Sequence, residues 1–118
     1  MKQPKLYGIF LNSNGSILLA EMESESRDVE ISKMLQTTRF EFFPSQRGFD
    51  GSMVICVADA YALKTPENKN SIASYICGDG IYGNVVILRA NDIGFKCLMT
   101  HATARKIMEE IQNEYIFT

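Results

Sequence analysis

The sequence contains no tryptophan, a single histidine (His101), three prolines and three cysteines. One histidine leaves little for a catalytic triad, which needs a nucleophile, a base and an orienting acid. His101 beside Thr100 reads instead as a surface or capping residue at a helix start. The cysteines, Cys56, Cys77 and Cys97, are odd in number, none at C-x-x-C spacing. Zinc would need clustered Cys and His at ligand spacing, so no metal is expected, and free buried thiols in a reducing compartment are. No apolar run approaches the ~20 residues that cross a bilayer, and the opening MKQPKLYGIFLNSNG does not read as a signal peptide. Nor is there an excess of basic charge: 12 Lys and Arg stand against 14 Asp and Glu. Scattered bases without a stripe argue against duplex nucleic acid as a partner.

What remains is ordinary globular composition, with 46% hydrophobic residues in 118. One domain over residues 1–118 is the expectation at this length. Leu6–Leu11 and Ser16–Met22, joined by Asn12-Ser13-Asn14-Gly15, predict a β-hairpin. Ser26 is placed to cap a helix running to about Gln36, with Ile31, Met34 and Leu35 as one apolar stripe. Thr37–Phe43 alternates as a half-buried strand that Pro44 ends. Ser52–Ala58 reads as a central strand, with Tyr61-Ala62-Leu63 extending or pairing with it. Thr65-Pro66-Glu67 signals a helix start and Gly78 its close. Asn84–Arg89 and Phe95–Met99, across an Asn91-Asp92 turn, predict two more strands. Thr100 caps a last helix with Ala104, Ile107, Met108 and Ile111 inward. The order predicts an α+β fold: a mainly antiparallel sheet, an N-terminal hairpin and three helices packed on it.

Gly78-Asp79-Gly80-Ile81-Tyr82-Gly83 matches G-x-G-x-x-G, but a helix precedes it and a strand follows. That is the reverse of the dinucleotide-binding arrangement. Its glycines read as cap and turn residues, and Tyr82 as either a base stacker or packing at a sheet end. Asp79 and Asp92 both sit in turns, where Asp bonds locally. Arg27, Arg39, Arg47, Arg89 and Arg105 offer bidentate forks for phosphate. A nucleotide-sized pocket would need Arg89 and Arg105 to converge with Tyr82. The acidic stretch Glu21, Glu23, Glu25, Asp28 and Glu30 could meet a basic protein surface. Tyr115-Ile116-Phe117 must pack on the chain's own sheet or in a subunit interface.

From about Val29 to Ile111 the chain resembles a family of small phage and mobile-element proteins known only as a domain of unknown function. The resemblance rests on Lys33-Met34-Leu35-Gln36, Phe40-Glu41-Phe42-Phe43-Pro44, Met53-Val54-Ile55-Cys56-Val57, Thr65-Pro66-Glu67-Asn68-Lys69 with Ala73, Ile81-Tyr82-Gly83-Asn84-Val85-Val86-Ile87, and Gly94 before a helix over residues 102–111. Where the family more usually carries Pro-Pro-Asn-Arg-Arg, this chain has Pro66-Glu67-Asn68-Lys69-Asn70. In size and N-terminal hairpin it is also similar to the phage anti-Thoeris proteins, which sequester cyclic ADP-ribose isomers without hydrolysing them and work as oligomers.

That likeness implies a non-enzymatic, cytoplasmic anti-defence protein, homo-oligomeric, without cofactor or membrane contact, capturing a cyclic ADP-ribose isomer or cyclic oligonucleotide in the bacterial host. Residue chemistry then assigns Tyr82 to base stacking, Asn84 and Asn91 to hydrogen bonding, and Arg89 and Arg105 to the phosphates. The alternative is a phage inhibitor that binds a host defence or replication protein directly, in the manner of an anti-CRISPR or host-takeover factor.

Overall fold

The computed structural model describes residues 5–91 and 96–116. Its sheet has the order β2-β1-β5-β4-β3, with β6 pairing β5, and every pairing is antiparallel. The strands are β1 (Leu6–Leu11), β2 (Ile17–Met22), β3 (Phe40–Pro44), β4 (Val54–Asp59), β5 (Val85–Ala90) and β6 (Lys96–Cys97). The helices are α1 (Arg27–Leu35), α2 (Ser71–Cys77) and α3 (His101–Ile116). The α+β class, the antiparallel sheet, the N-terminal hairpin and the three helices all stand as expected.

The hairpin turn forms for the reason its residues suggest. Asn12 Oδ1 accepts from Asn14 N (3.0 Å), Gly15 N bonds back to Asn12 O (2.9 Å), and Gly15 takes φ +96°. That φ favours glycine.

The helices cover both faces of the sheet. Because side chains alternate along a strand, Ile9, Leu11, Cys56, Val85 and Ile87 meet α2 and α3 on one face. Val57, Val86, Leu88, Ala20 and Met22 meet Ile31 and Leu35 of α1 on the other. This two-sided cover explains the unbroken apolar run of β5, whose Val85–Leu88 is wholly buried.

Three local expectations need correction. Tyr61-Ala62-Leu63 is not a strand: Ala62 N bonds back to Asp59 O (3.2 Å) and Tyr61 N to Asp59 Oδ1 (3.0 Å), which closes a turn. Thr65-Pro66-Glu67 starts only a 3-10 turn over Pro66–Asn68; α2 begins after Asn70, whose side chain accepts from Ala73 N (3.1 Å). Ser26 holds the N-cap position of α1 without a side-chain cap bond. Glu30 Oε2 instead accepts from Glu23 N (2.9 Å) and Ser26 Oγ (3.4 Å), tying α1 to the turn before it. The expected strand over Phe95–Met99 survives as β6 plus a reciprocal backbone pair between Met99 and Tyr7 (2.7 and 2.8 Å). Asp92, Gly94 and Phe95 lie outside the described residues.

Thr100 Oγ1 does accept from Thr103 N (3.3 Å) at the start of α3. Gly78 closes α2 at φ +66°, as its position implies. A Cβ there would meet the Gln46 side chain. Gly78→Ala therefore lowers stability by about 1 kcal/mol, read by urea unfolding.

Candidate functional site

Four of the five residues assigned to ligand binding divide between the two ends of β5, and the fifth, Arg105, lies in α3. Tyr82 and Asn84 stand just before the strand. Arg89 lies near its end and Asn91 just beyond it. Five steps along extended chain lead from Asn84 to Arg89, about 17 Å at ~3.4 Å per step.

Tyr82 lines an open cleft of about 140 Å³ with Phe43, Lys64, Glu41, Asp59 and Asp79. Asn84 lines an adjoining cleft of about 290 Å³, and Asp59 and Ala62 form a wall of both. Two of the five residues therefore come together. The Tyr82 cleft holds three carboxylates against the single Lys64, the wrong balance for a phosphate-bearing ligand. Asn84 Oδ1 already accepts from Ser13 N (3.0 Å), tying the hairpin turn to β5. Asp79 Oδ1 accepts from Gly80 N (2.9 Å), the local bonding expected of a turn Asp.

The arginines are spread around the molecule. Arg105 pairs with Glu109 one helical turn on (3.0 Å). Arg47 donates from Nε to Glu114 (3.0 Å), pairs with Glu110 (3.5 Å) and lies over the Phe49 ring (4.4 Å), so it joins the loop before β4 to α3. Arg39 stands 6.0 Å over Tyr61. Arg89 has a buried Nε without a hydrogen-bond partner. His101 is exposed and meets Tyr7 edge-on at 5.1 Å. Tyr115 packs edge-on against Tyr75 of α2 (6.2 Å), a helix contact rather than a sheet contact. The Ile116 side chain and Phe117 lie outside the description.

A different surface concentrates unpaired apolar groups. No strand lies beyond β3 among the described residues. Arg39 O accepts from Ala60 N (2.9 Å) and Ser45 N donates to Val54 O (2.8 Å) on either side of it. In this antiparallel register, Phe40↔Asp59 through Pro44↔Ile55, bonded and non-bonded pairs alternate. Glu41 and Phe43 thus direct their main-chain groups to β4. Phe40, Phe42 and Pro44 direct theirs to the open edge. Pro44 has no N–H to lose there, which is where a strand tolerates proline.

Beside this edge runs an apolar groove. One part, about 470 Å³, is lined by Val29, Phe40, Ser32, Lys33, Asp28 and Thr38. The adjoining part, about 270 Å³, shares Asp28 and Phe40 with it and adds Phe42, Ile31, Arg27 and Lys96. Val29 is 57% exposed and Phe42 46%. Lys96 Nζ stands 4.2 Å over the Phe42 ring, and Arg27 donates to Lys96 O (2.6 Å) while pairing with Asp28 (3.2 Å). Three cations and one carboxylate line the groove, an excess of positive charge.

Neither Val29 nor the outward set of β3 was singled out as functional by sequence reasoning. The available signal was Phe40 and Phe42 alternating before Pro44, and a valine lying off the Ile31–Leu35 stripe of α1.

No family model and no curated protein matches this chain. Among solved structures, it is similar to the crystal structure of the small RNA methyltransferase HEN1, with a TM-score of 0.58 and 14% identity. The match covers 92% of this chain and 16% of that one, so this chain spans about one-sixth of its length. At this identity the likeness shows the fold alone. No described helix is long and apolar enough to cross a membrane.

Proposed function

We propose that this chain is a binding protein that captures an extended segment of another protein along the free edge of β3. The carrying observation is that edge: Phe40 and Phe42 offer outward N–H and C=O groups next to an apolar groove that both residues line. Strand addition obtains affinity from main-chain hydrogen bonds and specificity from pockets for alternate side chains. Val29, Phe40 and Phe42 supply the apolar pockets; Lys33, Lys96 and Arg27 favour carboxylates on the incoming segment. In biological terms this is the direct-inhibitor reading, in which a phage protein occupies a host defence or replication protein.

Selection from a library of displayed random peptides tests it. The expected winners alternate apolar residues and carry acids nearby. Recovery of no extended apolar–acidic motif contradicts the reading.

A second reading, capture of a cyclic nucleotide, draws support from Tyr82 and Asn84 lining adjoining clefts. Equilibrium dialysis against cyclic ADP-ribose isomers and cyclic oligonucleotides decides between them. With the acidic balance around Tyr82, no retention is expected. Micromolar retention that Tyr82→Ala weakens about tenfold or more would reinstate the nucleotide reading, since base stacking contributes about 1–3 kcal/mol.

A further inference from the structure

Two of the three cysteines meet in the core, although 20 residues separate them in sequence (positions 57–76). Cys56 sits in β4, on the face that meets α2 and α3; Cys77 is the last residue of α2. Cys77 Sγ lies 3.5 Å from Phe43 O, and Phe43 is the cross-strand partner of Cys56. Both side chains belong to the same buried cluster, and each thiol shifts the ionisation of the other. Cys97 stands apart in β6, half-buried.

We propose that Cys56 and Cys77 form a peroxide-sensitive thiol pair that closes to an intramolecular disulfide, with Cys77 as the attacking sulfur and Cys56 as the resolving one. Exposure sets the order: Cys77 is 8% exposed and Cys56 0%, so an oxidant reaches Cys77 first. The Cys56 thiol pulls the Cys77 thiol below its ordinary range, against the effects of burial and of the Asp79 charge. Cys77, with burial, holds Cys56 well above its ordinary range. A low-pKa thiol backed by a protonated neighbour is the arrangement that reacts with peroxide and then resolves.

The chemistry balances. The Cys77 thiolate attacks one peroxide oxygen, the O–O bond breaks, and the departing hydroxide takes a proton to leave as water. Cys77 is now a sulfenic acid. The Cys56 sulfur attacks the Cys77 sulfur, the S–O bond breaks, and hydroxide leaves with the Cys56 proton as the second water. Two thiols are oxidised and one peroxide is reduced.

The test treats folded Cys97→Ser protein with hydrogen peroxide, blocks remaining thiols with N-ethylmaleimide, and reads the mass and the peptide map. The expected product has lost two hydrogens, about 2 Da, carries no maleimide, and yields a peptide joining Cys56 to Cys77. Two maleimides on the treated protein, or oxygen added to one cysteine with the other still free, overturns the proposal. A Cys56→Ala version in the same background separates the roles. There, Cys77 should accumulate as a sulfenic acid that dimedone traps. Trapping nothing while the parent forms the disulfide overturns the assignment of Cys77 as the attacking sulfur.

Discussion

Asn70→Ala is expected to lower the unfolding free energy by about 3 kcal/mol, the largest stability effect of any single polar truncation in this fold. Asn70 is 1% exposed. Its Nδ2 donates to Leu11 O (3.0 Å) and Gly83 O (2.9 Å), while its Oδ1 caps α2 through Ala73 N (3.1 Å). One side chain thus ties the end of β1, the start of α2 and the turn that feeds β5. Alanine leaves two carbonyls and one amide without this partner, and buried groups left unpaired cost about 1–3 kcal/mol each before relaxation. Asn70→Asp keeps the cap acceptor but turns an oxygen towards both carbonyls, so it should be about as damaging. Urea unfolding measures both, with a Tm loss of roughly 10 °C as the thermal counterpart. A loss below about 1 kcal/mol for Asn70→Ala would contradict this account of the junction.

The second large effect concerns binding. Val29→Asp should weaken capture of an apolar–acidic segment about a hundredfold, equivalent to about 2.7 kcal/mol. It places a carboxylate where an apolar side chain is to be buried and reduces the local excess of positive charge. Phe42→Ala should cost about tenfold through lost contact area. Both side chains are about half exposed in the free protein, so unfolding free energies should move by less than about 1 kcal/mol. Fluorescence anisotropy with a selected peptide reads the affinities. Unchanged binding in both variants would remove the groove from the site. Tyr82→Ala serves as the comparison and should leave peptide affinity unaltered.

Local signals in the sequence carried well into the structure. Asn12 to Gly15 encodes its turn through an Asx bond and a positive φ, both set by neighbours in the chain. Gly78 closes α2 for the same kind of reason. The α3 core face follows from helical spacing alone, with Ala104, Ile107 and Ile111 buried. Pairings between distant segments were not legible in this way. That β1 lies beside β5, and β3 at an edge, depends on contacts across many residues.

The candidate ligand residues show the consequence. Tyr82, Asn84, Arg89 and Asn91 are neighbours in sequence, and in a loop they could have converged. An intervening strand separates them instead, because Val85–Leu88 is an apolar run wholly buried in the sheet. Arg105 was a reasonable phosphate ligand by chemistry, yet Glu109 one turn away neutralises it. The cysteines illustrate the opposite case. Nothing in their spacing suggested that Cys56 and Cys77 would meet, and only the packing of α2 on β4 brings them together.

Amide hydrogen exchange of the peptide complex tests the central claim most directly. If an extended segment adds to β3, the Phe40 and Phe42 amides, which face the open edge, become protected on saturation. The Glu41 and Phe43 amides already bond to β4 and should change little, as should Tyr82 and Asn84. Alternating protection at 40 and 42 is the predicted result. Protection centred on the Tyr82 clefts, with Phe40 and Phe42 exchanging as before, would contradict strand addition and move the binding site to the face of β3 that carries Glu41 and Phe43.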